Sequence, residues 1–245
     1  MAPIIVLFTD FGLEGPYTGQ VKTVLHRIAP GVPVIDLFAD LPPAKPQPAA
    51  YLLAAYGTWF STGTIILAVV DPGVGSARGA VVVEADGRSY IGPDNGLFEI
   101  VARRADRVRS WEVTTRPEAI SASFHGRDLF APVAGQLARG APVGGQLRPR
   151  ALRRRPEWPD DLAEIVYIDR FGNAMTGLRA KVLPDQAQLG AVGRVFARRR
   201  TFSDVPAGEA FWYENSNGLA EIAVNSGRAD AALGLSIDTP VAILP

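Results

Sequence analysis

Five short polar clusters stand where strand-like runs end, and their residue types are those that do chemistry. Thr9-Asp10-Phe11-Gly12 follows the first apolar run. Asp71-Pro72-Gly73-Val74-Gly75-Ser76-Ala77-Arg78 follows the run TIILAVV, and Phe124-His125-Gly126-Arg127-Asp128 precedes a helical pattern. Asp169-Arg170-Phe171-Gly172-Asn173 and Asn215-Ser216-Asn217-Gly218 lie between strand-like runs of the second half. Carboxylates there can accept hydrogen bonds or protons, and a histidine or arginine can orient a reacting group. Each cluster has a plainer reading as well. Asp10 can cap a helix, and Asp71-Pro72 can be a turn whose glycines serve only the backbone. His125 can sit idle beside a helix start. Five clusters at strand ends, in a chain with two histidines, favour function over coincidence. His26 lies within a helical pattern beside Arg27 and reads as structural.

Alternating strand and helix patterns must position these clusters. Ile4 to Phe8, Val32 to Leu37 and Thr64 to Val70 read as strands, and the last has the unbroken apolar character of a strand buried on both faces. Pro16 to Ile28, Ala49 to Phe60, Leu97 to Arg104 and Arg127 to Leu137 read as helices. Ala80 to Glu84 and Ser89 to Ile91 read as a hairpin around Asp86-Gly87. The expectation for residues 1–147 is an α/β domain whose mostly parallel sheet is flanked by helices. The proline- and arginine-rich stretch 148–161 reads as an exposed linker. Residues 162–245 carry short strand patterns (Ala163 to Ile168, Gly193 to Ala197, Ala210 to Tyr213, Leu219 to Val224, Pro240 to Leu244), the mark of a smaller, β-barrel-like C-terminal domain. In sheets of the first kind, ligands bind beyond the carboxyl ends of strands, where the first clusters fall.

Composition narrows the chemistry. The 245 residues hold 25 basic and 25 acidic side chains and no cysteine. Disulfides, thiolate nucleophiles and iron–sulfur clusters are therefore excluded. A net charge of zero argues against nucleic acid or anionic lipid as partner. No apolar run approaches a membrane span, and the expected location is the cytoplasm. The runs Arg153-Arg154-Arg155 and Arg198-Arg199-Arg200 read as solvated surface more readily than as phosphate grips. Neither a dinucleotide fingerprint, a phosphate-binding P-loop nor a serine-hydrolase elbow is present, and no metal-ligand spacing stands out.

Taken in order, FTDFG (Phe8–Gly12), VVDPGVGSAR (Val69–Arg78), GPDNGLFE (Gly92–Glu99), FHGRDLFAP (Phe124–Pro132), DRFGN (Asp169–Asn173) and NSNGLAEIAVN (Asn215–Asn225) resemble the S-adenosyl-L-methionine (SAM) hydroxide adenosyltransferases, or SAM hydrolases. These are relatives of the SAM-dependent fluorinases and chlorinases, and the resemblance runs from about residue 4 to 244. It implies an α/β domain with a smaller barrel-like one, and a homotrimer with active sites at subunit interfaces. It implies that hydroxide displaces methionine from the ribose 5′ carbon, with SAM as substrate and no cofactor. The family triad falls on Asp71, Arg78 and His125, with His125 or Asp71 taking the proton and Arg78 orienting the water. Asp10 falls where ribose hydroxyls are held, Phe171 and Asn173 at the adenine, and Asp169 and Ser216 at the two ends of methionine. Glu221, Val224 and Phe124 fall at pocket positions. Trp212 and Tyr213 read as core more readily than as adenine stackers.

Two departures stand out. Thr176-Gly177 replaces a common Thr-Asn pair, so a side-chain contact is expected to be missing. Ser226 replaces a common glycine, with little effect expected. Some family members clear the unproductive (R)-sulfonium epimer of SAM. A halide-using relative is the nearest alternative; such relatives carry other residues at the triad positions, and retention of all three argues for water, although Gly126 suits chlorinase-like chemistry too. A non-catalytic SAM or adenosine sensor is a second alternative, and an arginine-based RNA binder a weaker third.

Overall fold

The structure is a computed structural model that describes residues 3–114, 120–140, 147–149, 151–152 and 154–245. The chain divides into two compact units, 1–155 and 156–245.

Among the described residues, the first unit holds a seven-stranded sheet in the order β2-β1-β3-β5-β4-β6-β7. The strands are β1 (Ile5–Thr9), β2 (Val34–Phe38), β3 (Ile65–Val69), β4 (Ala80–Ala85), β5 (Arg88–Pro93), β6 (Val108–Val113) and β7 (Leu147–Pro149). β1 and β3 are apolar and buried on both faces, as near-continuous Val, Ile and Leu runs must be. On one face Ile5 and Leu7 pack with Val21 and Leu25 of α1 (Tyr17–Ile28) and Ala131 and Ala134 of α4 (Ala131–Ala138). On the other, Phe8 meets Phe38 edge-on, and Phe38 meets Tyr56 of α2 (Pro46–Tyr56). A short α3 (Glu99–Arg104) follows β5.

The sheet is mixed, which corrects the expectation of a mostly parallel one. β2, β1, β3 and β5 run parallel, while β4, β6 and β7 pair antiparallel. The cause is local: Asp86 (φ 47°) and Gly87 (φ 78°) form a two-residue turn of the kind that makes adjacent strands antiparallel. Because β5 inserts between β3 and β4, the chain from β3 to β4 must step across the end of β5. Residues 71–79 make that step.

The stretch read as an exposed linker is partly built into the first unit. Leu147–Pro149 extends the sheet, and Arg154 and the Arg155 backbone amide bind the buried Glu99. Arg150 and Arg153 lie outside the described residues.

The second unit is sheet-rich but is not a closed barrel. Its sheets are β12-β13-β9-β8 and β11-β10-β14, built from β8 (Leu162–Ile168), β9 (Ala174–Arg179), β10 (Gln188–Ala191), β11 (Arg194–Phe196), β12 (Ala210–Glu214), β13 (Leu219–Val224) and β14 (Ala242–Leu244). Only isolated bridges, Arg198 to Trp212 and Glu164 to Pro240, join strands of different sheets, so no ladder closes the ring. Trp212 is fully buried between them and donates its indole N–H to the Ala187 carbonyl, at 2.9 Å. It is core, and Arg198 covers its ring.

Candidate active site

In the first unit the parallel register pairs Thr9 with Val69, so the residues that follow β1 and β3 emerge side by side. Those residues include Asp10 and Asp71. Beyond Asp71 the chain folds back on itself. The Ser76 hydroxyl donates to the Gly73 carbonyl at 2.7 Å and accepts the Arg78 amide at 3.2 Å. Gly75 sits at φ +79°, and a Cβ there would lie 2.7 Å from the Ala122 carbonyl oxygen, so glycine is required twice over. This turn returns Arg78 to Asp71. Its Nε donates to both carboxylate oxygens, at 2.8 and 3.0 Å, and its Nη2 donates to Oδ2. Nη1 is held by the Gly79 carbonyl at 2.9 Å, and the guanidinium lies over the Phe130 ring.

His125 enters from a π-helical turn, Gly126–Phe130, that runs into α4. Pro132 lacks the N–H of a regular ladder, and the wider turn accommodates that loss. The ring is 7% exposed, and its Nδ1 lies 3.1 Å from Arg78 Nη2. Guanidinium only donates, so Nδ1 accepts; the neutral ring then carries its proton on Nε2. Arg78 thus bridges Asp71 and His125, two residues 54 positions apart by their numbers (125 − 71).

Asp10, Asp71, Phe124 and His125 share the wall of one cavity of about 120 Å³. Asp10 accepts the Ala44 amide at 2.9 Å. Burial raises the Asp10 pKa above the ordinary carboxylate value; the Ala44 amide opposes this, and the nearby Asp71 charge adds to it. Phe124 packs edge-on against Phe11 and Tyr17. A Cβ at Gly126 would sit 2.8 Å from the Phe11 ring, so this wall closes only around glycine.

In the second unit, Asp169 and Asn173 clamp the β8–β9 turn. The Asn173 amide donates to Asp169 Oδ1 at 2.8 Å, and its side-chain Nδ2 donates to Oδ2 at 3.1 Å. Gly172 at the turn's tip lies against Arg228 and Asp230, where a Cβ would meet Asp230 Oδ1 at 2.5 Å. Phe171 is thereby held out into solvent, 74% exposed. Asp169, Phe171, Asn173, Phe202, Tyr213 and Val224 are among the residues lining a cleft of about 550 Å³.

Glu221 stands behind this cleft. It is 2% exposed, and it accepts the Tyr213 hydroxyl and Asn215 Nδ2, each at 2.7 Å. Burial raises its pKa, against the bonds from Asn215 and Tyr213 and with the charge of Asp169. Ser216 is exposed on the adjacent turn, outside the cleft lining. That turn is organised by Asn215, whose Oδ1 accepts the amides of Asn217 and Leu219.

Sequence reasoning gave no separate role to Ser76, the Ala44 amide or Phe202. Tyr213 read as core but walls the cleft. Ser76 was legible as an ST-turn residue; Ala44 comes from a distant loop, and Phe202 from a short 3₁₀ turn, Phe202–Asp204, whose local signal says nothing of the cleft. At the first departure, Gly177 packs so closely that a Cβ would meet Leu162 Cβ at 2.6 Å, so asparagine does not fit this backbone. At the second, Ser226 lies beside the cleft at φ 58°, a left-handed conformation costing about 1–2 kcal/mol that glycine would avoid. Among the described residues no cluster of three or more His, Asp or Glu could hold a metal ion. No helix there is long and apolar enough to cross a membrane.

Residues 5–145 match the family model for the SAM hydroxide adenosyltransferase N-terminal domain, and residues 163–242 match that for its C-terminal domain. An (R)-S-adenosyl-L-methionine hydrolase of Thermus thermophilus is 43% identical over the whole of both chains. One from Salinispora arenicola is 38% identical, covering 96% of this chain and 95% of its own. A fluorinase of Nocardia brasiliensis is 25% identical over 72% of this chain and 71% of its own. An uncharacterized conserved protein from Thermotoga maritima has a crystal structure that superposes with a TM-score of 0.89, at 29% identity, over 98% of this chain and 100% of that one.

Proposed function

Because the chain belongs to the SAM hydroxide adenosyltransferase family, we propose that it hydrolyses (R)-S-adenosyl-L-methionine to adenosine and L-methionine. One observation carries the mechanism: Arg78 ties Asp71 to His125 at the wall of a cavity that Asp10 also lines. At about 120 Å³ that cavity has room for water and the reacting carbon, since a water takes about 30 Å³.

In the proposed step a water oxygen attacks the ribose 5′ carbon from the side opposite sulfur. The carbon–oxygen bond forms as the carbon–sulfur bond breaks, and the electron pair of that bond leaves with sulfur. The sulfonium departs as a neutral thioether, so the step asks for neither an acid nor a metal. The proton moves as the attack proceeds: the water becomes acidic as its oxygen bonds to carbon, and a carboxylate beside it takes the proton in the same transition state. Asp71 is therefore the base of this scheme. His125 accepts from Arg78 at Nδ1, and from its place in the cavity wall it orients the water. Holding water in line in this way supplies much of the rate.

Asp10 accepts the ribose hydroxyls, and Phe171 stacks on adenine while Asn173 reads its edge. Asp169 and Ser216 meet the amino and carboxylate ends of methionine, and Val224 lines the same site. Glu221 holds Tyr213 and the Asn215 turn from behind. A cytoplasmic homotrimer, each site completed by a neighbouring copy, is part of the same proposal and rests on the family resemblance.

The test is to incubate the protein with each SAM epimer, with and without chloride, and follow products by chromatography. Equimolar adenosine and methionine from the (R)-epimer is the expected result. A 5′-chloro product would move the chain to the halide branch. Bound adenosine without turnover would leave a nucleoside sensor.

A further inference from the structure

The motif Gly92–Glu99 has no part in the proposed step, yet it is threaded through the loop that carries Asp71 and Arg78. That loop leaves β3 and enters β4 on either side of β5, so the end of β5 lies between its two stems. Gly92 makes the close fit possible: a Cβ there would lie 2.1 Å from the Ala68 carbonyl oxygen. β5 then ends on Pro93, which has no N–H to offer a neighbour. The next amide, of Asp94, donates to the Gly79 carbonyl at 3.0 Å, on the Arg78 stem. Gly79 also accepts Arg78 Nη1, so this one carbonyl ties the stem to the guanidinium.

On the Asp71 stem the donor is a side chain. Asn95 Nδ2 donates to the Val70 carbonyl at 2.8 Å, immediately before Asp71. The other end of the same amide, Oδ1, accepts the Leu97 N–H at 3.2 Å. Held at both ends, the amide has no freedom to swing. Its own backbone carbonyl accepts Arg155 Nη2 at 3.3 Å, while the Arg155 amide is fixed by Glu99.

We propose that Asn95 is a positioning residue for the reaction, its side-chain amide setting the stem from which Asp71 projects toward Arg78 and the water. The inference rests on the hydrolase reading above. It singles out the donor: aspartate at this position keeps an oxygen for Leu97 but has nothing to give Val70.

The experiment compares Asn95→Asp and Asn95→Ala with wild type on the (R)-epimer, recording kcat, KM, the pH profile of kcat/KM and the melting temperature. Misplacing Asp71 by a fraction of an ångström should lower kcat about 10- to 100-fold in both variants. KM should stay within about twofold, because the proposed substrate contacts lie elsewhere. In Asn95→Ala, which adds no charge, the pH midpoint should match wild type. Asn95→Asp, with the Val70 carbonyl left unanswered, should melt only a few degrees below wild type, since the turn into α3 is kept. Wild-type kcat in Asn95→Asp would overturn the proposal. So would a loss carried by KM, a shifted midpoint in Asn95→Ala or a collapse in the melting temperature of Asn95→Asp. A wild-type chain inert toward both epimers would instead fail the hydrolase reading, and this inference with it.

Discussion

The two candidate regions are built on opposite principles. The cavity of the first unit is small, and two of its wall residues, Asp71 and His125, are already held by Arg78. The cleft of the second unit is several times larger, and its leading ring, Phe171, stands in water. Each region has a nearby buried glutamate, and the two are treated differently. Glu99 sits among arginines: burial alone would raise its pKa, but the bonds from Arg154 and Arg103 and the Arg155 amide outweigh it and hold the group low. Glu221 meets mainly neutral partners, and burial prevails. On the proposed assignment, the difference teaches that the reacting end is assembled before substrate arrives, whereas the recognising end has exposed apolar surface still to bury.

If so, the largest effect belongs to the first region and should appear in turnover. Asp71→Asn keeps the shape and one acceptor for Arg78 but removes the base. It should cut kcat about 10³-fold with KM little changed. Unchanged turnover would reduce the Asp71–Arg78–His125 bridge to a structural ion pair. Phe171→Ala should do the reverse. Losing base stacking worth about 1–3 kcal/mol should raise KM by about 5- to 150-fold and leave kcat alone. Because the ring is exposed, denaturant unfolding should be unchanged within about 0.5 kcal/mol. A fall in kcat instead would mean that the second region takes part in the chemistry.

Asp10 sharpens the boundary between the two roles, since it shares the cavity with Asp71 but is assigned to binding. It must be ionised to accept two hydroxyls, and its pKa is raised. KM should therefore rise on acidification at a pH above the ordinary aspartate value of about 3.9. Asp10→Asn should have a KM raised about tenfold at neutral pH and no such acid limb. The glutamates give the smallest effect, a change in the slope of stability against pH. For Glu99, with its native value depressed, the stabilisation is complete above the unfolded value of about 4.3 and is lost as pH falls through the native one. For Glu221, with its native value raised, it is complete below about 4.3 and lost as pH rises through the native one. Urea unfolding of Glu99→Gln and Glu221→Gln across pH should remove slopes of opposite sign.

Much of this was legible in the chain. β1 and β3 announced themselves as unbroken apolar runs, and the clusters after them lie at the strand ends where that reading puts them. β9 was not seen, because AMTGLR has neither alternation nor a β-branched run; it is a central strand buried by its neighbours. β6 was missed because VRSWEV lies largely half-exposed and carries charge. In the second unit the turn clamped by Asp169 and Asn173 was legible as a polar cluster, while Phe202, brought to the cleft from a separate 3₁₀ turn, was not.

By itself the sequence determined the residue types available for chemistry, their places after apolar runs, and the sharp turns that Gly75 and Gly172 allow. These are local matters, settled by side-chain period and backbone sterics over a few residues. Tertiary structure alone decided that β5 would insert between β3 and β4, so that Asn95 meets Val70 beside Asp71. It alone brought His125 to Arg78, and it left the second unit as two sheets without a closed ring. Those outcomes depend on which strands pair across the chain, and pairing is chosen by the burial of whole faces and the satisfaction of distant backbone groups.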